Sequence, residues 1–204
     1  MKQPAGGNLR AGLRIGLDAH YVDGFSQGVK TVLARTLEEF GKADGASEFF
    51  VYHKNTPSAS EPQVENSSKI HHRKLLTNAG AFNQAFGFPY LAIRDKLDVF
   101  HSQYIAPFIS PCPVVVTIHD ILFESMPEYF GARHSSLLKL LVPMAARSSA
   151  HIITVSHYTR EEIIKRYKIP REKVSVIPNG VDARWRPLDP ANVSAALDRL
   201  DRKS

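Results

Sequence analysis

A single cysteine, Cys112, stands in 204 residues. One thiol cannot close an internal disulfide, and alone it cannot furnish a cysteine-based zinc site. Without a disulfide framework a reducing compartment is expected, the cytoplasm by default. Long apolar runs are missing as well. None approaches the roughly 20 residues that span a bilayer, so a soluble chain is expected, or one that lies on a membrane surface. Residues 1–12 are polar and glycine-rich. They lack the apolar centre of a signal peptide, so they are expected to be a disordered N-terminal tail. There is no concentrated basic tract either: Lys and Arg outnumber Asp and Glu by 26 to 20, a net +6, but they are spread along the chain. With no aromatic-interleaved motif beside them, no nucleic-acid partner is expected. The same balance suits attraction to phosphates or to an acidic lipid surface, which makes peripheral membrane contact an expectation.

What is present is an ordinary globular composition, 43% hydrophobic and 23% charged, which excludes global disorder. The length suits one large domain with a substantial core. Apolar stretches alternate with helical patterns. Residues 13–18 read as a strand, and a loop with Gly24 and Gly28 follows. Val29, Val32, Leu33, Leu37 and Phe40 recur at helical spacing, with Gly41 placed to end that helix. Residues 48–53 read as a strand, 55–68 as a Ser- and Pro-rich surface loop, and 69–75 as a short strand. Residues 79–96 are expected to be partly helical, interrupted by Gly87 and Pro89. Strands are expected at 97–101, 114–118, 152–155 and 174–177. The β-branched run 114–118 suits a parallel strand buried on both faces. Helices are expected at 135–148, with Pro143 as a kink, and from Ser156 to before Pro170. The alternation implies βαβ units, so the fold class is α/β, a mainly parallel sheet flanked by helices.

In such sheets ligands bind beyond the carboxyl ends of the strands, and three features collect there. The loop Asp23-Gly24-Phe25-Ser26-Gln27-Gly28 leads into a helix N-terminus, where free N–H groups favour phosphate. A plain turn explains it equally well, and it matches neither a Walker loop nor a dinucleotide fingerprint. Thr117-Ile118-His119-Asp120 ends the most apolar strand. His119 there could exchange protons or hydrogen-bond near neutral pH, or be satisfied structurally by Asp120 or a carbonyl. Asn179-Gly180-Val181-Asp182 is most simply a tight turn. His71, His72 and His101 are scattered at no ligand spacing, and adjacent histidines on a strand face opposite ways, so no metal site is expected.

The ordered set carries a family likeness. It comprises Gln27-Gly28-Val29-Lys30-Thr31, then Asp98-Val99-Phe100-His101-Ser102, then Val115-Val116-Thr117-Ile118-His119-Asp120. Pro127-Glu128-Tyr129-Phe130, Ile153-Thr154-Val155-Ser156 and the segment from Glu172-Lys173-Val174 to Asn179-Gly180-Val181-Asp182 complete it. This resembles the N-terminal, acceptor-side domain of family-four retaining glycosyltransferases of the GT-B fold, from about residue 14 to 187. The resemblance implies a single Rossmann-like domain, here 13–188, followed by a tail at 189–204. That tail is too short for a second domain, so a truncated or split enzyme is expected. The implied reaction transfers a sugar from a nucleotide-sugar donor, a co-substrate and not a cofactor, to a glycan or glycolipid acceptor. No metal takes part.

By the same resemblance, His119 is the catalytic-site residue that reaches the transferred sugar, and Gly28 lies near the donor diphosphate. Lys30 is assigned to phosphate or acceptor, and Tyr104 and Asp120 to the acceptor side. Ser156 is a helix cap first and a ligand contact second. The family's basic pair for the diphosphate and its acidic segment belong to a C-terminal GT-B domain, supplied in trans if the enzyme is split. The alternative is a non-catalytic acceptor-binding or interaction module.

Overall fold

Arg14–Asp18 forms β1, and its position follows from its pairing. Its main chain registers with β2 (Glu48–His53) on one side and with β4 (Val99–Gln103) on the other. β3 (Ile70–Lys74) adds to β2. β5 (Val114–Thr117), β6 (His151–Thr154) and β7 (Val174–Val176) follow outward from β4. The result is one seven-stranded sheet of order β3-β2-β1-β4-β5-β6-β7, with every pairing parallel. The structure is a computed structural model that describes residues 12–20, 27–54, 68–181 and 193. Expectations for the tail at 1–11, the glycine loop at 21–26, the loop at 55–67 and the segment from 182 onward lie outside the described residues, Val193 apart.

Two apolar layers sandwich the sheet. α1 (Gln27–Lys42) packs Leu33 and Leu37 on Leu17, Phe49 and Val51, with Phe40 stacked on Phe49 at 4.6 Å between ring centroids. The larger layer, on the opposite face, takes Phe50, Tyr52, Phe100, Val116 and Ile152 from the strands. Phe88 and Leu91 of α3 (Phe88–Arg94), Leu138 and Val142 of α5 (Ala132–Ser148) and Ile163 of α6 (His157–Tyr167) cover them. Parallel strands cannot be joined by tight turns, so the crossover helices supply both layers. Among the described residues no helix is long and apolar enough to cross a membrane.

Several boundaries differ from the sequence reading, for local reasons. α1 continues past Gly41 to Lys42. The strand expected at 97–101 begins two residues later, because Leu97 N–H bonds back to Ala92 O and Asp98 N–H bonds Arg14 O. It extends to Gln103 because that residue still registers with Thr117. α5 begins at Ala132, and helix continues on both sides of Pro143, which is buried. Gly87 and Pro89 do not interrupt their helix. Gly80–Phe82 (α2), a π turn at Asn83–Gly87 and α3 run on in helical backbone, with Pro89 in the first turn of α3. A missing N–H costs little there. A Cβ on Gly87 would meet Asn83 Oδ1 at 2.6 Å, so the π turn closes around a glycine. The run 114–118 is less enclosed than expected, since Val115 is only half-buried. α4 (Leu122–Ser125) and a 3-10 turn at Pro127–Tyr129 follow Asp120, in a stretch without periodic apolar spacing.

Candidate functional site

The strands deliver their last residues to one rim. β4 ends at Gln103, and Tyr104 follows with φ 58°, in the left-handed region. That turn keeps Tyr104 N–H on Thr117 O at 2.9 Å, so the chains leaving β4 and β5 remain paired beyond the strands. Two side-chain contacts then join them. His119 Nε2 lies 2.9 Å from Gln103 Oε1, and Tyr104 O–H donates to Asp120 Oδ2 at 3.0 Å. The Tyr104 and His119 rings lie 5.7 Å apart between centroids. Asp120 Oδ1 accepts from Leu122 N–H at 3.0 Å, fixing the turn into α4.

β6 supports this group from its other side. Ser156 caps α6: its backbone is extended and its hydroxyl accepts from Thr159 N–H at 3.1 Å. Thr159 Oγ1 in turn lies 3.4 Å from His119 O. Below the rim, His101 Nε2 is 2.7 Å from Thr117 Oγ1. At the end of β1, Asp18 is 1% exposed, and its Oδ1 accepts from His20 N–H and faces His20 Nδ1 at 2.6 Å. Asp18 Oδ2 and Ser102 Oγ, each one residue past the Leu17–His101 pair, are buried without a hydrogen-bond partner among the described residues.

Burial sets the charge of this rim. His119 is pushed below its ordinary pKa by burial, with Asp120 opposing. His101 falls to about 4, by burial first, against the attraction of Asp18 and with a smaller push from His119. Both imidazoles are therefore neutral at pH 7 and suited to hydrogen bonding with hydroxyls, not to serving as fixed cations. The His101 shift has a consequence for stability. Its folded value lies below the ordinary value, so between pH ~6.5 and ~4 the unfolded chain binds the proton first. The contribution is complete above that window and lost as pH falls through it, on the order of 3 kcal/mol in total. Urea midpoints measured from pH 7 to pH 4 are expected to fall, and H101N is expected to flatten the slope. An equal slope in the variant would assign the acid sensitivity elsewhere.

The structure thus brings Tyr104, His119 and Asp120 together, with Ser156 linked to them through Thr159. Gly28 was expected in a loop and instead occupies the first turn of α1. Its backbone needs no left-handed freedom there, and a Cβ would meet nothing within 4 Å among the described residues. Lys30 lies in the same turn, with its side chain outside the described residues. Gln103, Asp18 and Thr159 escaped sequence reasoning. The available signal was positional: Gln103 precedes Tyr104 as His119 precedes Asp120, and both contacts span sixteen residues. The adjacent histidines of β3 are engaged separately, His71 with Glu48 and His72 with His53. No cluster of three or more metal-ligating side chains occurs among the described residues.

An all-parallel sheet flanked by helices, with polar groups gathered at its carboxyl rim, defines a Rossmann-like domain, a class in which ligands bind at that rim. Residues 26–185 match the model of Glycosyltransferase Family 4, and the chain belongs to that family. It is 33% identical over 97 residues to the O-antigen chain mannosyltransferase RfbU of Salmonella typhimurium, across 46% of this chain and 27% of that one. It shares its fold with Anabaena HepE, solved in complex with UDP and glucose: TM-score 0.57, 18% identity, 93% of this chain and 50% of that one. A glycosyltransferase from Rickettsia africae aligns at TM-score 0.51 and 14% identity over 95% of this chain and 50% of its own. The chain therefore spans half the length of these solved relatives and about a quarter of the curated one.

Proposed function

We propose that this domain, residues 13–188, is the acceptor-side half of a retaining glycosyltransferase that moves a sugar from a nucleotide-sugar donor to a glycan or glycolipid acceptor. The observation that carries the reading is the rim itself. His119, Tyr104 and Asp120 converge at the carboxyl ends of adjacent central strands in a family-four domain. His119 hydrogen-bonds the transferred sugar, and Tyr104 and Asp120 face the acceptor. Gly28 keeps the first turn of α1 clear for the donor diphosphate, with Lys30 beside it. A C-terminal domain, on the same polypeptide or a separate one, holds most of the donor. No metal is required: charge on the departing diphosphate is met by positioned donors, the device that commonly dominates such reactions. The working place is the cytoplasm, at a membrane surface where the acceptor is a glycolipid.

Two facts from relatives support the donor class. HepE was solved with UDP and glucose, and RfbU is a mannosyltransferase. The test is calorimetric titration of this chain with a panel of sugar nucleotides, with and without a C-terminal half. Binding and turnover only with the second half are expected. Tight binding by this chain alone would move the donor site into the present domain. A second test addresses the helix start: a Cβ at position 28 meets nothing within 4 Å among the described residues, so the melting temperature of G28L is expected to stay within a few degrees while donor affinity and turnover fall. Equal donor affinity and turnover would return Gly28 to a purely structural role.

A further inference from the structure

Gln103 is 5% exposed and polar, and it terminates a central strand. Buried amides are kept where their hydrogen bonds matter, because an unsatisfied one is costly. Its Oε1 faces His119 Nε2 at 2.9 Å. A carbonyl oxygen only accepts, so the contact requires the imidazole proton on Nε2. A neutral ring carries one N–H, which leaves the lone pair on Nδ1. No hydrogen bond to Nδ1 occurs among the described residues. The ring is further held by Tyr104 across 5.7 Å, and its backbone by Thr159.

We propose that Gln103 is a positioning residue that locks His119 in the Nε2–H tautomer, so that the ring offers Nδ1 to the crevice as a hydrogen-bond acceptor for a sugar hydroxyl. The inference rests on the assignment of His119 to the sugar site made above, and it narrows the chemistry. His119 receives a hydrogen bond from the ligand through Nδ1 and donates none from that atom. A sugar whose hydroxyl at that position is replaced by fluorine or methoxy cannot donate, and it loses the contact.

The test combines nitrogen-15 NMR of the histidine rings of this chain with transfer assays in the presence of a C-terminal half. In the wild type, His119 is expected to carry a slowly exchanging proton on Nε2. Q103L is expected to accelerate that exchange at least tenfold, to admit the Nδ1–H tautomer, and to lower transfer at least tenfold. Q103E keeps an acceptor against Nε2 and is expected to hold the tautomer while raising the His119 pKa. The other groups facing the ring, Asp120, Tyr104 and His101, are unchanged in that variant. A wild-type proton on Nδ1 would overturn the lock, as would a Q103L ring with unaltered tautomer and exchange. The NMR readout needs no donor and no second domain. Failure of the lock is therefore distinct from failure of the His119 assignment it rests on, which unchanged transfer by an H119A variant would reveal, and from failure of the transferase reading, which absence of transfer by the wild type with every C-terminal half and sugar nucleotide tried would reveal.

Discussion

H119A is expected to abolish measurable transfer in the enzyme completed by its C-terminal half. A single preorganised hydrogen-bonding group at a transfer site is commonly worth about 100- to 1000-fold in turnover, and the imidazole sits at the point where three strands' loops meet. The variant should fold. The ring is only partly buried, and its removal mainly strands the carbonyl of Gln103, a cost of about 1–3 kcal/mol. Circular dichroism and a urea titration separate that loss from the catalytic one. Rates are best compared at saturating donor, since a group that binds ground and transition states alike would change KM alone. Unchanged turnover would remove His119 from the site and leave its contacts with Gln103 and Tyr104 as packing.

The largest stability effect is expected at Phe100. Its ring is 1% exposed and lies 5.0 Å from Phe88 and 6.1 Å from Tyr52 between centroids. Gly16 leaves room beside it, for a Cβ there would stand 2.8 Å from Phe100 Cδ2. Replacing such a ring by Ala removes transfer energy and opens a cavity, about 3–5 kcal/mol together. Against a typical stability of about 5–15 kcal/mol, F100A is expected to be marginal at 37 °C. A urea midpoint shifted at constant m-value checks it, and a loss below about 1 kcal/mol would mean that the layer repacks around the gap. Because His101 is the next residue, the variant also tests how far the rim depends on the layer beneath it.

The fold was largely legible because its signals are local. β-branched runs such as Val114-Val115-Val116 mark buried parallel strands, and Val29, Leu33 and Leu37 mark a helix face at the proper spacing. The Ser156 cap was legible for the same reason, since its partner is three residues away. What stayed hidden depends on contacts distant in sequence. The late start of β4 follows from hydrogen bonds of Leu97 and Asp98, one of them to Arg14, and the π turn from Asn83 lying against Gly87. At the rim, His119, Asp120 and Tyr104 stood out as polar residues after apolar strands. Gln103 did not, because nothing local distinguishes a glutamine that closes a strand from one that faces water. Only the β4–β5 register shows that it meets a histidine sixteen residues on.

The strand order has a bearing on how the chain is made. β1 precedes the other six strands in the chain, yet it sits inside the finished sheet, between β2 and β4. Ile15 pairs with Val99, so one edge of β1 waits for more than eighty residues of synthesis, with only β2 and β3 available on the other side. Non-local parallel pairing of this kind is slow to form, and an unpaired edge recruits other chains. Until β4 emerges, the nascent domain is a three-stranded fragment with an open flank, and it is at that stage of translation that chaperone dependence and aggregation should concentrate.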